Sequence, residues 1–241
     1  MDSLESRLGR IIVVTGSFGS GKSEFSLNLA LRLAAGAPAA SAREVALVDL
    51  DIVNPYFRTR EARALLESHG VRAVVPPGDL AYADLPIYGP GVAALIRNPA
   101  VRLVLDVGGD EMGATALGGL APDLEGFDYD GIMVVNPYRP FTRTARAIAA
   151  MAAGIQERSR LALRWLESNP NLGPHTTLDV VRRGHAVVVE AARLLGLPVL
   201  GLTVRRRFLD EWQVDLATEL QVPVMPLEIY LSPPWLEQTL D

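Results

Sequence analysis

Gly16-Ser17-Phe18-Gly19-Ser20-Gly21-Lys22-Ser23 is the stretch on which the fold turns, and it fits the pattern G-x-x-x-x-G-K-[S/T]. The apolar run Ile11-Ile-Val-Val-Thr15 leads into it and predicts a buried strand, while residues 21–35 predict a helix. Glycines at 16, 19 and 21 let the backbone wrap tightly, so that successive N–H groups converge on phosphate oxygens. A helix that starts at the end of such a loop aims the positive end of its dipole at the same oxygens. All eight residues are candidate ligand contacts. Lys22 is placed to reach the β- and γ-phosphates and Ser23 to give its hydroxyl to Mg²⁺. The pattern therefore predicts a nucleoside triphosphate held with Mg²⁺.

Beyond the loop, apolar β-rich runs alternate with helical spacing. Strands are predicted over 44–50, 71–75, 101–107, 131–136, 161–167 and 199–204, with a short last one over 223–225. Helices are predicted over 57–69, 91–97, 141–158 and 176–195. Runs without in/out alternation are buried on both faces, and strand–helix alternation predicts a mainly parallel sheet between two helical layers. The expected fold is α/β, a three-layer sandwich. One domain is expected, with its core at about residues 11–204 and a C-terminal extension over 205–241.

Two of the predicted strands end in carboxylates, as Val48-Asp49-Leu50-Asp51 and as Val104-Leu105-Asp106-Val107-Gly108-Gly109-Asp110. In a parallel sheet these ends share an edge with the glycine loop. Asp106 suits a Mg²⁺ ligand acting through water. The Gly109 N–H can approach a γ-phosphate, and Asp51 or Asp110 can orient an attacking water. Asp49 and Asp51 alternate across their strand end, so at most one faces the phosphates, and Asp49 is kept as a metal candidate. Each aspartate also reads as a helix N-cap or turn residue.

Composition narrows the partners. A net charge of −5 gives no bulk electrostatic case for nucleic acid. With no cysteine, this chain can supply neither a disulfide nor a thiolate metal site, and the three histidines are scattered. No apolar run reaches the roughly 18–20 residues that span a bilayer, and 11–14 is too short for a signal segment, so a cytoplasmic protein with no membrane partner is expected. The cations are 22 arginines and one lysine, and that lysine is Lys22, where a compact ammonium is required.

The ordered set of Gly16–Ser23, Val48-Asp-Leu-Asp51 and Asp106-x-x-Gly-Asp110 resembles the SIMIBI class of P-loop proteins. That class holds MinD, ParA and the nitrogenase iron protein, with the CobQ/CobB-type amidoligases and dethiobiotin synthetase. Residues 105–110 are similar to the second switch of the iron protein, and the resemblance, over about 11–204, is greatest to CobQ/CobB/MinD/ParA nucleotide-binding domains. It implies that Asn169, after the strand over 161–167, reads the adenine edge. Asn169 also reads as an ordinary Asn-Pro turn. MinD, ParA and the iron protein carry a second loop lysine that reaches across a dimer. Ser17 stands at that place, which leaves a homodimer open. The residues after 227 include no basic side chain, unlike a MinD-type membrane helix. The loop is also similar to that of nickel-insertion GTPases, but their guanine-reading Asn-Lys-x-Asp needs a lysine that this chain lacks, which favours ATP.

Asp51-Ile-Val-Asn-Pro-Tyr-Phe-Arg58 and Asn136-Pro-Tyr-Arg-Pro-Phe141 both follow predicted strands and mix Asn-Pro turns, aromatics and arginine. Arg58, Arg139 and Arg143 can bind phosphate or a carboxylate. The leading expectation is an ATP hydrolase that acts as a switch for a protein partner. The alternatives are an ATP-dependent ligase or kinase acting on a small carboxylate substrate, and a module that holds nucleotide without turnover.

Overall fold

A computed structural model describes residues 3–36, 43–50, 60–74, 90–109 and 111–231. Eight strands form one sheet: β1 (Ile11–Thr15), β2 (Glu44–Asp49), β3 (Val71–Val74), β4 (Val101–Asp106), β5 (Tyr129–Val135), β6 (Trp165–Ser168), β7 (Val199–Arg205) and β8 (Val224–Leu227). Their order is β3-β2-β4-β1-β5-β6-β7-β8, and every pairing is parallel. The helices are α1 (Lys22–Ala35), α2 (Arg60–Ser68), α3 (Pro90–Arg97), α4 (Glu111–Leu124), α5 (Ala145–Ser159), α6 (Leu178–Leu195), α7 (Arg206–Trp212) and α8 (Leu216–Leu220).

The sheet is covered on both faces, as its nearly unbroken apolar strands require. On one face, Phe25, Leu29 and Leu33 of α1 and Leu66 of α2 pack on Ile12, Val14, Val45, Leu47 and Val104. On the other, Leu95 and Ile96 of α3 and Leu117, Leu120 and Leu124 of α4 pack on Ile11, Val13, Leu103 and Leu105. Further along that face, Ile148 and Ile155 of α5 and Val188 of α6 cover Met133, Val135 and Leu166.

Several elements differ from the sequence-based expectation. Helix α4 contains two glycines in succession and Pro122, which hide its helicity. Its Leu117, Leu120 and Leu124 nevertheless recur at helical spacing and bury fully. Strand β6 starts at Trp165 rather than near 161. The preceding residues run against β5 instead, where Arg164 N–H donates to the Gly131 carbonyl at 2.8 Å. Helices α7 and α8 are short and carry few apolar positions, so their period was not readable.

The order reverses around β1, which lies between β4 and β5. A crevice opens at such a reversal, at the C-terminal ends of the strands. The loop between β1 and α1 therefore lies at the centre of that edge. Two Asn-Pro turns continue the edge after β5 and β6. The fully buried Asn136 ties them together, donating from Nδ2 to the Asn171 carbonyl (3.0 Å) and accepting from the Tyr138 (3.1 Å) and Asn171 (3.3 Å) amides. Pro137 and Pro170 converge on Gly184 of α6, where a Cβ would come within 3.0 and 2.4 Å of them.

Glu167 of β6 is an exception to the apolar interior. It is fully buried, and neither carboxyl oxygen has a hydrogen-bond partner. Burial pushes its pKa well above the carboxylate range, and the nearby Gly201 amide opposes that shift only in part. The folded state therefore holds the proton more tightly than the unfolded chain. The stability that goes with it is fully present below the unfolded pKa of 4.5 and is lost as pH rises through the raised folded value. Glu167→Leu is expected to be more stable than wild type in denaturant titrations. The margin should widen from pH 5 to pH 8 by up to about 1.4 kcal/mol per pH unit. An unchanged margin would show that the Glu167 carboxyl is already ionised in the folded state at pH 5, so that its pKa is not raised.

Candidate functional site: a phosphate-binding loop at the sheet edge

The loop is shaped by left-handed backbone at Gly19 (φ 73°) and Gly21 (φ 89°), conformations that L side chains rarely adopt. The Ser20 amide closes a turn on the Ser17 carbonyl at 3.0 Å, and α1 then begins at Lys22. Phe18 stands at the apex, 70% exposed, while Lys22 and Ser23 are both 5% exposed. The hydroxyls of Ser17, Ser20 and Ser23 are buried and have no hydrogen-bond partner. Buried hydroxyls ordinarily find partners within the fold. Three together in one glycine loop, beside a buried ammonium, have the donor and acceptor chemistry of a phosphate and Mg²⁺ site.

Neighbouring elements grip the loop from two sides. On the β4 side, the Val107 amide donates to the Val14 carbonyl at 2.9 Å. Gly109 then lies so close to Gly16 that a Cβ would come within 2.4 Å of its backbone. On the β6 side, Asn169 (3% exposed) donates from Nδ2 to the Ser20 carbonyl at 2.7 Å. A Cβ on Gly21 would meet that same nitrogen at 2.2 Å. Gly16, Gly21 and Gly109 are thus glycines because other backbone or an amide occupies the space of a side chain.

Asp49 and Asp106 sit opposite each other in register at the ends of β2 and β4, 3% and 0% exposed. Asp106 Oδ1 accepts from Ser26 Oγ at 3.2 Å. Ser26 was not read from the sequence as part of the site; its signal is that it lies one turn after Ser23 on the same helix face. Asp51, Asp110 and Arg58 lie outside the described residues. Among the described residues no group of three or more His, Asp or Glu gathers to hold a metal alone. A hydroxyl, one or two nearby carboxylates and the ligand's own oxygens is instead the usual arrangement for Mg²⁺.

Beside the loop is a cleft of about 220 Å³, lined by Phe18, Lys22, Ser23, Arg139, Asn171 and Leu231 among others. The C-terminal segment reaches this cleft because α1 binds it. Asn28 exchanges two 2.9 Å hydrogen bonds with the backbone of Glu228, and the Glu24 carboxyl accepts the amides of Tyr230 (2.7 Å) and Leu231 (3.2 Å). Burial raises the Glu24 pKa to about 7, against the lowering effect of those two amides. Arg143 is exposed and does not line the cleft among the described residues.

No protein-family model and no curated protein sequence matches the chain. Among solved structures it is similar to the signal recognition particle receptor FtsY from Elizabethkingia anophelis, with a TM-score of 0.51 and 15% identity over 80% of this chain and 58% of that one. It is also similar to the cell division protein FtsY from Thermotoga maritima, with a TM-score of 0.47 and 14% identity over 82% of this chain and 62% of that one. The chain thus spans about three fifths of the length of these proteins. What is shared at such identity is the fold, and the fold is that of the P-loop NTPases.

Asn169 yields a direct test. Asn169→Ala leaves the Ser20 carbonyl without its donor, which is expected to cost about 1–3 kcal/mol of unfolding free energy. If the residue's work is to brace the loop, affinities for ATP and GTP measured by titration fall together. A loss confined to ATP would instead assign it to the adenine edge.

Proposed function

We propose that this protein binds ATP with Mg²⁺, hydrolyses it slowly, and uses the change between bound states as a switch for a protein partner. The observation that carries the reading is the set of three buried, unpartnered hydroxyls of Ser17, Ser20 and Ser23 around the buried Lys22. The residues that would hold Mg²⁺ are Ser23 directly and Asp106, with Asp49 beside it, through water. When bound, the ion neutralises charge that develops on the phosphate oxygens.

The chain's own residues account for the rest. Loop amides and the start of α1 orient the phosphates, and Lys22 supplies a fixed positive charge. Gly109 touches Gly16, so a phosphate that bears on the loop bears also on the segment leading into α4. That contact is the physical basis proposed for switching. Asp51 or Asp110 is proposed to orient the attacking water.

A protein partner is favoured by the surface around the cleft. Of the five large apolar side chains exposed among the described residues, Phe18, Phe141, Leu172 and Tyr230 all belong to loops at this edge. Phe18 is in the loop itself, and the others follow β5, β6 and β8. Apolar groups clustered beside a ligand cleft suit a protein surface that docks over it. ATP is favoured over GTP because no lysine is available for an Asn-Lys-x-Asp guanine reader.

Titration calorimetry with Mg·ATP and Mg·GTP, followed by phosphate release over hours, tests this reading. ATP is expected to bind, GTP to bind at least about tenfold more weakly, and Lys22→Ala to lose most of the affinity and all phosphate release. Binding without release would support a module that only holds nucleotide. Release that requires an added small carboxylic acid would support a ligase or kinase.

A further inference from the structure

We propose that Arg139 is the second cation of the phosphate site, held against the loop from within the same chain so that its guanidinium meets phosphate oxygens beside those that Lys22 covers. The proposal rests on the nucleotide reading above and adds a named residue to it.

The geometry is specific. Arg139 donates from Nε to the Gly19 carbonyl at 2.8 Å, bridging 120 residues of sequence. A Cβ on Gly19 would lie 3.0 Å from Nε and 3.2 Å from Cζ, so the guanidinium lies directly against the loop. Gly19 is therefore required twice, for its left-handed backbone and for the room it gives Arg139. Among the described residues, Lys22 and Arg139 are the two cations that line the cleft. A guanidinium carries five N–H donors. One is used on Gly19, and among the described residues the others have no side-chain or backbone partner.

The backbone that carries Arg139 is fixed from several sides. Its own amide donates to the Asn136 carbonyl, and its carbonyl accepts the Thr142 amide, both at 3.1 Å. Thr142 Oγ1 donates to the Asn136 carbonyl at 2.6 Å, and the Tyr138 hydroxyl donates to the Val180 carbonyl at 2.7 Å. Pro137 and Pro140 flank the turn and restrict it further. A cation carried on so constrained a turn and docked on the loop through Nε loses less entropy on meeting an anion than a free side chain does. The alternative is that Arg139 only clips the loop shut. A clip needs one N–H, which a neutral amide supplies. A triphosphate places several negative oxygens in a cleft whose one other cation among the described residues is Lys22, and planar guanidinium groups match phosphate oxygens in pairs.

The test uses the full chain and separates the clip from the charge. Arg139→Gln keeps an amide nitrogen the same number of bonds from the backbone as Nε, and removes the charge. Arg139→Lys keeps the charge and removes the fork. Titration calorimetry with Mg·ATP, Mg·GTP, Mg·ADP and Mg·GDP is run on wild type, both variants and Lys22→Ala, alongside melting temperatures without nucleotide. Arg139→Gln is expected to melt as wild type does while binding triphosphate about tenfold more weakly or worse. Arg139→Lys is expected to recover part of the loss. Gln binding triphosphate as tightly as wild type, while Lys22→Ala fails to bind, would reduce Arg139 to a clip and leave the nucleotide reading intact. Lys binding no better than Gln would show that charge is not what acts, and would also overturn the assignment. Wild type binding none of the four nucleotides would remove the nucleotide reading and this assignment with it.

Discussion

The structure depends on close backbone contact around one loop. Strand β1 is wholly buried between β4 and β5, and its C-terminal end gives the chain nowhere to go but into the crevice where the strand order reverses. There the loop touches Gly109 on one side and the amide of Asn169 on the other, with the Arg139 guanidinium against its outer turn. Glycine at 16, 19, 21 and 109 is what makes those approaches sterically possible. The loop is thereby held from three directions before any ligand arrives, which is how a site gains affinity without spending it on ordering.

The cost of this arrangement is buried polarity. Lys22, Asp49, Asp106 and three serine hydroxyls are all nearly removed from water at one edge of an otherwise apolar sheet. Buried hydroxyls left without partners, as on Ser17, Ser20 and Ser23, are expensive, and their clustering at the switch point beside buried charged groups is the sign of a site and not of poor packing. Glu167 is a separate case. It lies one residue before Ser168 and two before Asn169, in the strand that carries Asn169 to the loop, yet it is fully buried and neither carboxyl oxygen has a hydrogen-bond partner. Its burial favours the neutral carboxyl, because desolvation penalises the charged form.

The sequence made the strand–loop–helix unit legible because its signals agree: an apolar run, glycines at wrapping positions and one lysine in a chain that otherwise uses arginine. The parallel sheet followed from strands without alternation. Helix α4 was missed because glycines and Pro122 mask a stripe of three leucines, and α7 and α8 because they are too short to show a period. The resemblance points to Asn169 as a reader of the adenine edge, whereas its bond to the Ser20 carbonyl depends on tertiary distance and is not legible in local spacing. The same is true of Ser26 on Asp106, and of Glu24 and Asn28 on the segment after β8. Each joins residues that local spacing cannot bring together, some of them 200 or more positions apart.

The central claim is that residues 16–23 form the receptor for a Mg-bound triphosphate. Backbone hydrogen exchange, read residue by residue with and without Mg·ATP, tests it most directly. Slowed exchange is expected at the amides of the loop, at the first turn of α1 and at residues 107–109, with no such protection in Lys22→Ala. Protection elsewhere on the chain with the loop unchanged, or equal protection in Lys22→Ala, would contradict it.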